Sequence, residues 1–148
     1  MSDIFNTSDE DSLTVFQSRI DMQTLRFHHV GIPTDKKLPD ADYNAKLKAH
    51  GSGYFDNPYG VELHNFDEDN ELPEIIKTRP HVAFVVDDLK EALQGKQVVL
   101  EPNNPAEGVT SAFILDGDAL IEFLEFTRPE QEVWPHPGKF QLGEQQDD

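Results

Sequence analysis

The chain has 148 residues, no cysteine, and 12 basic against 29 acidic residues for a formal net charge of −17. That length suits one domain with a core of its own, the missing thiols exclude a disulfide framework and any thiolate zinc site, and the charge argues against a nucleic-acid partner, because phosphate binding rests on clustered Lys and Arg. No apolar run approaches the roughly 20 residues of a membrane span, and the acidic start Met1-Ser2-Asp3 is unlike a signal peptide, so the expectation is a soluble cytoplasmic protein.

Residues 1–24 mix Ser, Thr, Asp and Asn with scattered apolar residues and read as an acidic, flexible N-terminal extension, with one short capped helix over Ser8–Phe16. Leu25–Ile32 is a strand by its aromatic and β-branched content and stops at Pro33. Ala41–His50 is rich in helix formers and ends at the breaker Gly51-Ser52-Gly53. An irregular aromatic segment, Gly53–Tyr59, leads into a strand over Gly60–Phe66 and an acidic connector, Asp67–Thr78, with a possible helical turn at Pro73–Lys77. His81–Val86 is a strand, capped into a helix over Leu89–Gln94 by Asp87 or Asp88 and ended by Gly95. A short strand Gln97–Leu100, a Pro/Asn/Gly loop Glu101–Gly108 and strands Val109–Leu115 and Leu120–Phe126 complete the order, the last two joined by Asp116-Gly117-Asp118. Residues 128–148 read as a tail, with Trp134 and Phe140 able to tack it onto the domain over 25–127.

The two halves repeat. His29-Val30-Gly31 falls on His81-Val82-Ala83, with Asp35 on Asp87, and Val61-Glu62-Leu63 falls on Ile121-Glu122-Phe123. Each half begins with a strand bearing a His and ends with a strand bearing a Glu between apolar residues. A carboxylate in Leu120-Ile121-Glu122-Phe123-Leu124 is costly unless paired or bound, and period-two alternation sets it on the face shared by Leu120 and Leu124. On the same rule His28 points away from His29 to the surface or an interface, and Glu125 points away from Glu122 into solvent. His64 lies two residues beyond Glu62 and shares its side, so either can face the site.

The strings FHHVGI, PHVAFVVDD and IEFLEF resemble the vicinal oxygen chelate superfamily, which includes glyoxalase I, methylmalonyl-CoA epimerase, extradiol dioxygenases and bleomycin-resistance proteins. The resemblance spans residues 26–126 and implies an α+β fold of paired βαβββ modules forming a curved, open, barrel-like sheet. It implies that His29, Glu62, His81 and Glu122 hold one divalent ion (Zn, Ni, Mn, Co or Fe), with positions left for water and substrate. The halves are unequal, because His29 to Glu62 is 33 positions and His81 to Glu122 is 41. The first module is therefore expected to be truncated, its hairpin missing or reduced to the segment Gly53–Tyr59, where Tyr54 and Tyr59 line a pocket or simply pack.

What the resemblance implies about function is metal-assisted enolate and proton-transfer chemistry on a small carbonyl-containing metabolite, by a lyase, isomerase or epimerase. Glu122 and Glu62 would then be the catalytic carboxylates, with His64, Tyr54 and Tyr59 touching substrate. A dioxygenase variant would use His29, His81 and Glu122 on iron. The alternatives are a metal-free binding protein of the bleomycin-resistance type, for which an acidic domain suits a cationic ligand, and a scaffold whose buried polar groups pair with one another. Paired-module relatives often form homodimers, so a homodimer is the expected assembly.

Overall fold

The computed structural model describes residues 24–38 and 42–136. The expected extension before Thr24, with its Ser8–Phe16 helix, and the tail beyond His136, with Phe140, lie outside the described residues.

Strands form where the sequence alternates or runs apolar: β1 (Arg26–Pro33), β2 (Asp42–Asn44), β3 (Ala49–Gly51), β4 (Val61–Phe66), β5 (His81–Val85), β6 (Gln97–Ala106), β7 (Val109–Asp116) and β8 (Ala119–Phe126). Among the described residues there are three short helices: α1 (Glu74–Thr78) between β4 and β5, α2 (Leu89–Ala92) between β5 and β6, and α3 (Glu130–Val133) after β8. The eight strands make one curled mixed sheet in the order β2-β3-β4-β1-β5-β8-β7-β6, an α+β half-barrel. β1 pairs antiparallel with β5 at the centre, and each of them has a parallel neighbour, β4 beside β1 and β8 beside β5. The remaining pairs are antiparallel, so both halves of the sheet follow one strand order outward from the centre. Among the described residues no helix is long and apolar enough to cross a membrane.

Three local expectations are overturned. The segment read as a helix over Ala41–His50 is a hairpin, β2 and β3, pairing Asp42 with Gly51 and Asn44 with Ala49. The Asn44 side chain accepts from the Leu47 amide at 3.0 Å, and Lys48 adopts φ 51°, which no helix can contain. Helix propensity was outweighed there by pairing of β3 with β4. The first half therefore has its hairpin; what it lacks among the described residues is a helix between its first two strands. Finally, Glu101–Ala106 is strand rather than loop, since Pro102 and Pro105 sit on the edge strand β6, where three register shifts accommodate them.

The helix cap and the hairpin turn follow the local rules. Asp88 caps α2, its side chain accepting from the Glu91 amide, and Glu125 is half-buried rather than solvated, accepting from the Leu89 amide at the same end. Gly117 takes φ 62° in the two-residue turn between paired Asp116 and Ala119.

The core lies on both faces of the second half-sheet. Under α2, Val86, Leu89, Ala112, Ile114 and Phe123 pack together. On the other face there are two clusters. One joins Ile76 of α1 to Phe113 and Leu120; the second joins Ala83, Val109 and Leu124 to the half-buried Val133 and Trp134. Glu122 lies between Leu120 and Leu124 along β8, in the gap between those two clusters. Leu124 is fully buried, so Leu124→Ala is expected to lower unfolding free energy by about 2–5 kcal/mol in urea denaturation, with secondary structure retained.

Candidate metal centre

The parallel pairs deliver the polar residues by register. Gly31 is opposite Glu62 and Ala83 opposite Glu122, so in each half the histidine stands two residues before the partner of the glutamate. The central antiparallel pair sets His29 opposite Ala83 and His81 opposite Gly31. Each imidazole thus lies across from a small residue that leaves it room. At Gly31 that room is essential, because a Cβ there would stand 2.2 Å from His81 Cε1 and 2.5 Å from Nε2.

His29, His81 and Glu122 are buried, and one ligand atom from each lies within 4.8 Å of the others. His81 Nε2 is 3.1 Å and His29 Nε2 3.5 Å from Glu122 Oε1, while Oε2 accepts from the Ser111 hydroxyl at 2.7 Å. Glu62 joins through His29, with Oε1 3.0 Å from His29 Nε2 and 3.6 Å from His64 Nε2. Both Glu62 and His64 therefore face the site. His64 stacks at 5.9 Å on His81, which meets Phe113 edge-on at 4.9 Å.

Burial alone would raise the Glu122 carboxyl and lower the His29 imidazole. At Glu122 the neighbouring His29 and His81 override burial and hold the carboxyl well below its ordinary value. At Glu62 the charge of His29, with His64 beside it, does the same to a smaller extent. At His29 the two carboxylates override burial and hold the imidazole above its ordinary value.

Two ring nitrogens, His64 Nε2 and His81 Nε2, are buried without a hydrogen bond. The 3.1 Å contact of His81 to Glu122 lacks the alignment a hydrogen bond needs. Buried imidazole nitrogens without a hydrogen-bond partner, beside two carboxylates held low, are what a cation needs. This donor set of nitrogen and carboxylate oxygen fits a borderline divalent ion, and the buried His29-His81-Glu122 group could bind one.

Two connected spaces adjoin the group. A chamber of about 100 Å³ is lined by all five residues and Ser111. A larger cavity of about 460 Å³ shares His29, Glu62 and His64 with it and continues past Tyr54, Phe55 and Trp134. Tyr54 thus lines the cavity as expected from sequence. Tyr59 does not: it is 73% exposed, in a turn that the Asn57 side chain ties to the amides of Tyr59 and Val61.

Sequence reasoning missed three participants. His28, expected at the surface, is buried, because the strand is bulged between Phe27 and His29 and alternation fails there. Its Nδ1 lies 2.7 Å from His29 Nδ1. Glu130 comes from the segment read as tail and bonds His28 Nε2 at 2.8 Å. Ser111 did carry a signal, as the polar residue between Val109 and Phe113 on one face of β7.

Gly31→Ala is expected to displace the His81 ring and cost about 1–3 kcal/mol in urea denaturation. Gly51→Ala, whose Cβ would make only ordinary contact at 3.4 Å from Leu63 O, serves as the control. A second expectation concerns pH in the metal-free protein. Carboxyls held low by folding stabilise above their unfolded value of 4.5 and lose that contribution as pH falls below it. An imidazole held high stabilises fully below 6.5 and loses that contribution as pH rises through its folded value. Urea midpoints should therefore peak between these limits, and the alkaline fall should vanish in His29→Gln.

No protein-family model and no curated protein matches the chain. Among solved structures it is similar to the hypothetical protein BH1468 from Bacillus halodurans C-125, with 18% sequence identity and a TM-score of 0.53 over 72% of this chain and 97% of that one. At that identity the likeness is one of fold, a curled half-barrel sheet compatible with a vicinal-oxygen-chelate-like fold.

Proposed function

We propose that the chain is a divergent member of the vicinal oxygen chelate superfamily, with a shortened first module, acting as a metal-dependent lyase, isomerase or epimerase on a small carbonyl compound. The observation that carries this reading is the convergence of His29, His81 and Glu122 within 4.8 Å beside a cavity of about 460 Å³. The identical strand order of the two half-sheets supports the paired-module interpretation.

A divalent ion, when bound, polarises a substrate carbonyl and stabilises the charge that develops as the adjacent carbon loses its proton. The residues divide the remaining work. Glu122, bonded to Ser111 and lining only the smaller chamber, is suited to hold the ion with His29 and His81. Glu62 lines both spaces and is kept ionised by His29 and His64, so it is the carboxylate that reaches substrate and takes the proton. Among the described residues the larger cavity is lined by no Lys or Arg and carries Asp42 and Glu62, with Tyr54, Phe55 and Trp134 offering flat apolar surface. That lining selects an uncharged or cationic substrate and disfavours phosphates and free carboxylates. The same lining favours the second reading, a metal-free binder of a cationic ligand.

The two readings separate on metal titration. Untagged protein stripped with chelator is titrated calorimetrically with Ni²⁺, Zn²⁺, Mn²⁺, Co²⁺ and Fe²⁺. The enzyme reading expects one ion per chain at about micromolar affinity or tighter, lost in both His81→Ala and Glu122→Ala. Absence of binding in the wild type, or undiminished binding in both variants, sinks it in favour of the binder.

A further inference from the structure

Asn70 is a buried polar residue that the proposed chemistry does not use. Its side chain is committed to the turn between β2 and β3. The amide nitrogen donates to the carbonyls of Leu47 and, at 3.2 Å, Lys48, and the oxygen accepts from the Leu72 amide at 2.8 Å. A buried amide left without partners is costly, so this arrangement clamps the turn from behind. Within the turn, the Asn44 side chain accepts from the Leu47 amide and Lys48 takes φ 51°. In front, the Asn44 side chain donates to the Pro105 carbonyl at 3.4 Å and Lys46 Nζ to the Asn104 carbonyl. β2 and β6 are the two ends of the sheet. The turn therefore reaches from one edge of the half-barrel to the other.

Leu47 is the residue this clamp brings to the site. It lines both the smaller chamber and the larger cavity, as do Pro105 and Trp134. A group moving from cavity to chamber passes the residues common to both, and these three are the bulky apolar ones among them. They come from separate parts of the chain: the hairpin turn, the edge strand β6 and the segment after α3. The two spaces also differ in capacity. About 460 Å³ falls within the range that encloses a whole small molecule, roughly 300–1,000 Å³, and about 100 Å³ does not. We propose that Leu47 is a specificity-determining residue, forming with Pro105 and Trp134 an apolar throat between cavity and chamber. The throat admits a narrow, unbranched oxygenated head and keeps the larger, flat body of the ligand outside. Asn44 and Asn70 are positioning residues that act through the turn. The oxygenated nature of the head rests on the function proposed above; the throat is a feature of the metal-free chain.

Trp134 is the one tryptophan of the sequence, so its fluorescence reports on the throat. In metal-free protein, acrylamide quenching is expected to rise in Leu47→Ala and Asn70→Ala and to fall in Leu47→Phe. Equal quenching in Leu47→Ala and Leu47→Phe overturns the proposal. Co²⁺-loaded protein is then titrated with acetohydroxamic acid and its branched homologue pivalohydroxamic acid, followed by cobalt visible absorption. Wild type should favour the unbranched probe by about tenfold or more. Leu47→Ala and Asn70→Ala should lose most of that preference, and Leu47→Phe should increase it. No preference in wild type, or an undiminished one in Leu47→Ala, overturns the proposal. Should Leu47→Ala fail to fold, Leu47→Val takes its place in both series. A wild type that binds no Co²⁺ removes the metal reading, and the quenching series then decides the throat by itself.

Discussion

Glu122 carries a negative charge into a strand whose neighbours Leu120, Phe123 and Leu124 are all buried, and the glutamate itself is only 9% exposed. An isolated carboxylate in such a place costs several kcal/mol and would ordinarily neutralise by taking up a proton. It remains ionised because Ser111 donates to one oxygen while His81 and His29 stand against the other. Compensation does not end there. His29 is shared with Glu62, and Glu62 with His64, so each group is balanced by a neighbour that is itself balanced by the next. Deleting one partner leaves another uncompensated, and the polar cluster therefore behaves as one unit.

Strand register makes that unit possible. A parallel pair advances both chains in one direction, so a histidine two residues before the glutamate's partner occurs at the same depth in each half. The antiparallel join of β1 and β5 then brings the two arrangements face to face. It requires small residues, Gly31 and Ala83, opposite the two rings. A slip of one residue would turn every ligand to the opposite face. The hydrophobic clusters on either side of Glu122 oppose such a slip, so apolar packing and site geometry enforce the same register. What the core stabilises is thus the alignment that the polar residues need.

That dependence explains which parts were legible in the sequence. His81 and Glu122 lie in long runs with clear apolar neighbours, and period two alone directs them to the correct face. Gly31 and Ala83 coincide in the overlay of the two halves because both answer one steric demand. His28 was read on the wrong side because a bulge depends on three-dimensional pairing and leaves no mark on alternation. The hairpin over Asp42–Gly51 was hidden under helix-forming Ala45, Lys46, Leu47 and Lys48, whose preference is overridden by the edge of β4. The strand over Glu101–Ala106 was masked by two prolines that only an edge position tolerates. Glu130 gave no signal at all, since its role comes from where α3 lands.

The hydrogen count distinguishes a site from a scaffold of mutually satisfied groups. In the chain Glu130–His28–His29–Glu62 there are three gaps, and three hydrogens on the two imidazoles fill them all. One of the two rings must carry a second proton for that filling, and the carboxylates beside His29 hold its imidazole above the ordinary value. Protons can therefore satisfy this arm completely. They do not satisfy the other arm, where His81 Nε2 and His64 Nε2 remain without hydrogen bonds despite lying near ionised oxygens. A scaffold selected for stability alone would have little reason to retain two buried imidazoles whose nitrogens make no bond, because apolar residues of similar volume carry no such penalty. A cation would be held by His29, His81 and Glu122, and would give the unbonded His81 nitrogen a partner. Protons thus leave unmet what a cation could meet, and this is the physical reason to weigh a ligand-binding centre above a self-contained polar core.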